Sequence, residues 1–374
     1  MIQRALEAVI RGRLGGRKAI ILMGARQVGK TTLLRSMLGE EEGVLWLNAD
    51  EVRVRVMFED LSAAGFAPYI AGYRTVVVDE AQRVEDIGIK LKILQDAFGG
   101  EVQVIATGSS SFELANHINE PMTGRKREFR LFPLTAAEMV AHHGLFAEED
   151  MLESRLRYGW YPDVVTHPEE AQELLVELAG DNLFKDVLRL RDIRRPAALE
   201  RLVRALAFQV GSQVNLTELG SLVGLDKNTV ESYVRLLEQA YIVFRVGSFA
   251  RNLRNELTAS SKLFFYDVGI RNALIGDFSP PGGRGDIGAL FENFVIAELV
   301  KAAGGAAGRF WRTQSRQEID YVVGEPGALS AYEVKWNPRA RARWPSAFVE
   351  AYRPVAQTVV NRDNAIRVVS GPLA

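Results

Sequence analysis

The chain has 374 residues, 47% of them hydrophobic, with 46 Lys and Arg against 47 Asp and Glu. That length holds two or three domains. A net charge of -1 excludes a polycation, so any nucleic-acid contact must come from local patches. The absence of cysteine excludes disulfides, thiolate metal sites and cysteine nucleophiles.

The N-terminus shows no apolar core of signal-peptide length, and no run approaches a membrane span. A cytoplasmic protein without membrane contact is expected. Ile2, Leu6, Val9 and Ile10 recur at helical spacing, so a short amphipathic helix precedes the first strand. Ala19–Met23 is a buried strand. It runs into Gly24-Ala25-Arg26-Gln27-Val28-Gly29-Lys30-Thr31-Thr32, which contains the complete G-x-x-x-x-G-K-[ST] pattern, and then into a helix. Glycines let backbone N–H groups turn inward around phosphate oxygens, and the helix offers its positive N-terminus. Residues 24–32 are therefore the expected ATP cradle. Lys30 would reach the β- and γ-phosphates, and the Thr31 hydroxyl would ligate Mg²⁺.

Val44–Leu47 reads as a second strand, followed by a mixed helical segment and a Gly/Pro-marked loop through Pro68. Thr75–Val78 leads into Asp79 and Glu80. Asp79 is the expected Mg²⁺ partner, acting through the ion's water shell. Glu80 is the expected general base on the attacking water. A helix over 84–98 and a strand over 102–106 come next, ending in a Thr/Gly/Ser run. Thr107 or Ser109 could contact the γ-phosphate or the lytic water, or this could be plain turn chemistry. Alternating strands and helices predict an α/β domain with a mostly parallel sheet, closing near residue 145. In Arg125-Lys126-Arg127, Arg125 is the candidate arginine finger for a neighbour's site, which would require a homo-oligomer. The other reading is a solvated basic edge.

Residues 148–195 read as helices interrupted by Tyr158-Gly159-Trp160-Tyr161-Pro162, with Arg189, Arg191, Arg194 and Arg195 crowded at the end. Over 199–247, three helices, a tight turn and a strand predict a winged helix-turn-helix. Lys227, Asn228, Ser232 and Arg235 would be exposed on its third helix, for DNA or for a protein partner.

The C-terminal part carries a second constellation. A helix over 289–303 holds Glu292, and three strands follow. Glu333 and Lys335 share a strand face, and a hairpin brings Asp320 beside them. Asp320 and Glu333 would bind Mg²⁺, with Glu292 as a further candidate, and Lys335 would position water and offset charge. A basic, aromatic stretch follows, comprising Trp336, Arg339, Arg341, Arg343 and Trp344.

Taken together, Gly24–Leu34, Asp79-Glu80-Ala81-Gln82, Ala106–Ser111, Tyr158–Pro162, Phe310–Thr313 and Glu333-Val334-Lys335 resemble the prokaryotic AAA-type ATPases. Those are fused to a C-terminal domain of unknown function, distantly similar to the PD-(D/E)xK nucleases. The resemblance covers nearly the whole chain. It implies an AAA-type P-loop domain (1–145), a helical and winged-helix region (146–255) and an α/β nuclease-like domain (256–374). It carries the ATP- and Mg²⁺-handling roles onto Lys30, Thr31, Asp79 and Glu80. The expected function is an ATP-driven DNA-processing enzyme. The alternative is a nucleotide-dependent switch or DNA-binding regulator whose nuclease-like domain is inactive.

Overall fold

The computed structural model describes residues 1–39, 43–59, 62–109, 122–182, 193, 195–249, 261–313, 315–325 and 327–371. Arg189, Arg191, Arg194, Ser110, Ser111 and the expected boundary at 255 lie outside the described residues.

Five short strands form the first sheet: β1 (Ala19–Met23), β2 (Val44–Asn48), β3 (Thr75–Asp79), β4 (Gln103–Gly108) and β5 (Lys126–Arg130). Their order is β2-β3-β4-β1-β5, and every pairing is parallel. β1 and β4 are buried along their whole length, as a sheet covered on both faces requires. The order puts β4 between the strand entering the Gly-rich loop and the strand ending in Asp79. Chemistry from three strand ends therefore meets at one edge.

Ser62 caps a helix over Ala63–Ile70 by accepting the Gly65 N–H at 3.1 Å. Pro68 lies inside that helix rather than in the loop that the sequence suggested. Burial of Phe66 and Ile70 outweighs the proline's missing donor.

The second sheet has six strands: β6 (Val243–Ser248), β7 (Ser261–Phe265), β8 (Arg309–Arg312), β9 (Glu318–Val323), β10 (Ser330–Val334) and β11 (Ala356–Val360). Their order is β11-β10-β9-β8-β6-β7. β9 runs antiparallel to β8 and β10, while β11 is parallel to β10. β6, the strand expected as the wing, pairs antiparallel with β7 and also joins β8 in the same sheet. Three helices, Pro196–Phe208, Leu216–Val223 and Lys227–Gln239, lead into β6.

The two halves meet on the helix Ile287–Ala302, which is buried along most of its length. Its Glu298 carboxylate accepts the Ala136 N–H at 2.7 Å, and the Lys301 ammonium donates to the Leu134 carbonyl at 3.0 Å. Trp160 stacks on Phe294 of the same helix, with centroids 6.1 Å apart and planes at 8°. The Tyr-Gly-Trp-Tyr-Pro stretch is thus part of the junction. Gly159 has φ +70°, and a Cβ there would lie 2.1 Å from the Asp267 carboxylate. Glycine is the residue this close approach permits.

Candidate functional site: a nucleotide pocket and a carboxylate–lysine pocket

The first site begins with the turn after β1. Gln27 and Gly29 take left-handed conformations (φ 62° and 90°), the geometry that aims successive N–H groups at a common centre. Gly24 lies so close to the end of β5 that a Cβ would stand 2.1 Å from the Leu131 carbonyl oxygen. Lys30 opens the helix Lys30–Leu38 and is buried, its ammonium donating to the carbonyls of Gly24 and Ala25 at 2.9 Å each. Thr31 Oγ1 donates to Asp79 Oδ2 at 2.9 Å. Thr107 Oγ1 donates to Asp79 Oδ1 and accepts the Glu80 N–H at 3.2 Å. Thr31, Asp79, Glu80 and Thr107 therefore form one hydrogen-bonded set joining the helix Lys30–Leu38 to the ends of β3 and β4. Ser109 is buried one residue beyond β4.

Glu80 sits at φ 52°, an uncommon conformation for a residue with a side chain. Its carboxylate accepts from Gln82 Nε2 at 2.5 Å, so the group expected to orient water is itself oriented. A cavity of about 590 Å³ lies over the loop, lined from Gln27 to Thr32 and by Glu80 and Leu134. Gly24 and Ala25 are buried and Arg26 is exposed, and none of the three lines the cavity.

Two further walls were not read from the sequence. The first is the N-terminal segment Met1–Arg4. Arg4 donates to the carbonyls of Val28 (2.8 Å) and Phe132 (2.7 Å) and pairs with Glu138 at 3.0 Å. The second is Pro162, Asp163 and Thr166, just after the aromatic stretch.

Arg125 is not part of this pocket. It precedes β5, at the sheet edge opposite the Gly-rich loop, and its guanidinium pairs with Asp96 at 2.5 Å.

The second site is a cavity of about 450 Å³ lined by Lys262, Glu292, Glu318, Asp320, Glu333 and Lys335, among others. Asp320 breaks the β9–β10 ladder: its Oδ2 accepts the Val334 N–H at 2.8 Å and lies 3.1 Å from the Lys335 ammonium. Lys335 also pairs with Glu333 Oε2 at 2.7 Å. Glu333 Oε1 is buried and has no hydrogen-bond partner. Burial and the neighbouring Asp320 carboxylate push Glu333 up to about 7, against the pull of Lys335. Burial likewise raises Glu292 to about 7, with Asp320 adding to it and Lys262 opposing it.

Glu292 does not join Asp320 and Glu333 as a third convergent carboxylate. Lys262 holds it at 2.9 Å and holds Glu318 at 2.6 Å. Among the described residues, no three His, Cys, Asp or Glu side chains gather as a metal cluster. Lys262 and Glu318 carried no motif that would have singled them out.

On the third helix of the expected winged unit, Lys227, Asn228 and Arg235 are exposed and Ser232 is half-buried. In the stretch after β10, Arg339, Arg341 and Arg343 are exposed. Its two tryptophans pack inward instead of forming an open stacking platform. Trp336 lies against Phe291 at 5.3 Å, and Trp344 joins the cluster around Trp311 and Phe348.

Residues 16–140 match the model of the AAA domain. Residues 149–280 and 287–370 match two domains of unknown function, DUF8612 and DUF4143. An uncharacterized protein of Mycobacterium tuberculosis is 25% identical over 338 residues, covering 89% of this chain and 74% of that protein. An uncharacterized protein of Haemophilus influenzae is 22% identical over 303 residues, covering 75% of this chain and 74% of its own. The solved structure of a Walker-type ATPase of Pyrococcus abyssi superposes with a TM-score of 0.50 at 16% identity, over 73% of this chain and 96% of that one. Among the described residues, no helix is long and apolar enough to cross a membrane. Loop, sheet order and family match together make the N-terminal part an AAA-type P-loop ATPase domain.

Proposed function

We propose that this chain is an ATP-driven DNA-processing enzyme, with ATP hydrolysed in the first pocket and metal-dependent DNA binding or cleavage in the second. The observation that carries the reading is the pairing of two built sites in one chain. One is the Lys30–Thr31–Asp79–Glu80–Thr107 set. The other is the Asp320–Glu333–Lys335 set.

In the first pocket, Lys30 shifts from the loop carbonyls to phosphate oxygens. Thr31 and Asp79 fit Mg²⁺, being a hydroxyl and a carboxylate already in contact. The ion would neutralise phosphate charge. Glu80, held by Gln82, accepts the proton of the attacking water, and Thr107 fixes the Asp79 carboxylate.

In the second pocket, Asp320 and Glu333 fit Mg²⁺. The orphaned Glu333 Oε1 lacks a partner, and Mg²⁺ is commonly bound through one or two carboxylates and several waters. The ion would polarise a phosphodiester and activate water. Lys335 offsets charge beside it. The order of the helix Ile287–Ala302, the strands β8–β10 and the crossover to β11 supports the nuclease-like reading of residues 256–374. The helices over 196–239 followed by β6 support a winged unit within 146–255. Such an enzyme works in the cytoplasm, as a homo-oligomer if Arg125 serves a neighbour's pocket.

One observation favours the second reading, a nucleotide-dependent switch with an inactive nuclease-like domain. Two of the four carboxylates in the second pocket are already held by Lys262.

The deciding experiment measures steady-state ATP hydrolysis without DNA, with single strands, with duplex and with branched DNA, followed by cleavage of the stimulating form. Stimulation by one form is expected. Lys30→Ala should abolish hydrolysis, and Asp320→Ala should abolish cleavage while sparing hydrolysis. A slow rate indifferent to every nucleic acid refutes the DNA-processing reading and leaves the switch.

A further inference from the structure

Lys262 is 4% exposed, and its ammonium stands over the Phe310 ring at 5.5 Å from the centroid. It closes an ion triad with Glu292 on the long helix and Glu318 on β9. Burial works against its charge, but the two carboxylates hold its pKa above the ordinary lysine value. Across the same cavity the other two carboxylates, Asp320 and Glu333, share Lys335, whose side chain is 34% exposed. The pocket is thus divided. One carboxylate pair is closed by a buried permanent cation. The other has a solvent-accessible lysine and an orphaned buried oxygen, Glu333 Oε1.

We infer that Lys262 is a resident cation standing where a second divalent ion would bind, so that the pocket takes one Mg²⁺, on Asp320 and Glu333. The inference rests on the metal-dependent reading of this pocket given above. The physical reason is charge. Four carboxylates around one cavity repel one another and require counter-cations. Lys262 supplies one that cannot be removed by chelation. An ammonium cannot ligate water or act as a Lewis acid, so Lys262 contributes fixed positive charge facing the phosphodiester. Activation of water belongs to the single ion. Glu292 and Glu318 are then positioning residues for Lys262 and not metal ligands.

The test is Mn²⁺ titration of the full chain by calorimetry and electron paramagnetic resonance, in a Thr31→Ala/Asp79→Asn background that silences the first pocket. One ion per chain is expected. Glu333→Gln should remove it, Glu292→Gln should leave its affinity within about threefold, and Lys262→Met should admit a second ion. Should Lys262→Met fail to fold, the Glu292→Gln/Glu318→Gln pair replaces it and should retain one ion. Two ions with Lys262 intact, loss of the ion in Glu292→Gln, or a folded Lys262→Met chain that still takes one would overturn the role of Lys262 alone. No ion at all would overturn the metal reading of the pocket, and this inference with it.

Discussion

Replacing Asp267 with alanine tests the junction between the two halves. Asp267 is buried, and its carboxylate accepts three backbone N–H groups: Trp160 at 2.7 Å, Gly269 at 2.8 Å and Ile270 at 3.1 Å. The last two are the N-terminal cap of the helix Val268–Ile275. Burial pushes its pKa up, with Lys301 and the three N–H groups opposing. Loss of the cap costs about 1 kcal/mol. A buried Trp160 N–H left without a partner costs about 2 kcal/mol more. A total near 3 kcal/mol lowers the thermal midpoint by roughly 3–5 °C in a chain of this size. Asp267→Ser keeps a capping oxygen but cannot reach Trp160, so it should recover about the 1 kcal/mol of the cap and no more. The assay is thermal unfolding followed by tryptophan fluorescence. An Asp267→Ala midpoint within about 2 °C of the parent, or full recovery by serine, refutes the reasoning.

Thr107→Val removes the hydroxyl that serves both Asp79 and the Glu80 N–H. ATP hydrolysis should fall roughly tenfold to a hundredfold, the kinetic equivalent of about 1.5–3 kcal/mol, with nucleotide affinity changed less than threefold. Gly24→Ala drives a methyl group against the Leu131 carbonyl, and nucleotide binding measured with a fluorescent ATP analogue should be lost. Asp286 links acid pH to stability. Burial opposes ionisation, but hydrogen bonds from Arg284 and Arg271 lower it from 3.8 to about 2. Solvent screens this partly exposed pair, so its contribution is about 1 kcal/mol, complete above pH ~4 and lost as pH falls through about 2. Denaturant midpoints of the parent and Asp286→Asn should differ at pH 7 and converge near pH 2.

Local pattern made the nucleotide site legible. The Gly-rich loop, the apolar run before it and the two carboxylates after β3 are contiguous strings, and each sits at a strand end. The spacing Thr135-x-x-Glu138 is that of a capping box, and the structure has one. The second task of Glu138, receiving Arg4 and the Ala5 N–H from 133 or more residues away, was not. Nothing local to Arg4 distinguishes it from any arginine on an amphipathic helix. Lys262 escaped for the same reason, since its partners lie 30 and 56 positions onward and are brought to it by tertiary packing. β11 also escaped, because Ala356–Val360 is a short, half-exposed edge strand without the full apolar run that marked β1. Trp336 and Trp344 stood out only as aromatic residues flanking Arg339, Arg341 and Arg343. Side-chain direction there is set by what packs beneath, which spacing does not encode.

The helix Ile287–Ala302 also sets a schedule. The Ala136 N–H finds its acceptor in Glu298, 162 residues later in the chain. At roughly 5–20 residues per second, a ribosome needs roughly 8–30 s to make that stretch. Leu134, a wall of the nucleotide pocket, likewise waits for Lys301. During synthesis the nascent ATPase portion therefore stays incomplete at this corner until the C-terminal half has emerged. A chain stalled between the two would present the P-loop without its finished wall.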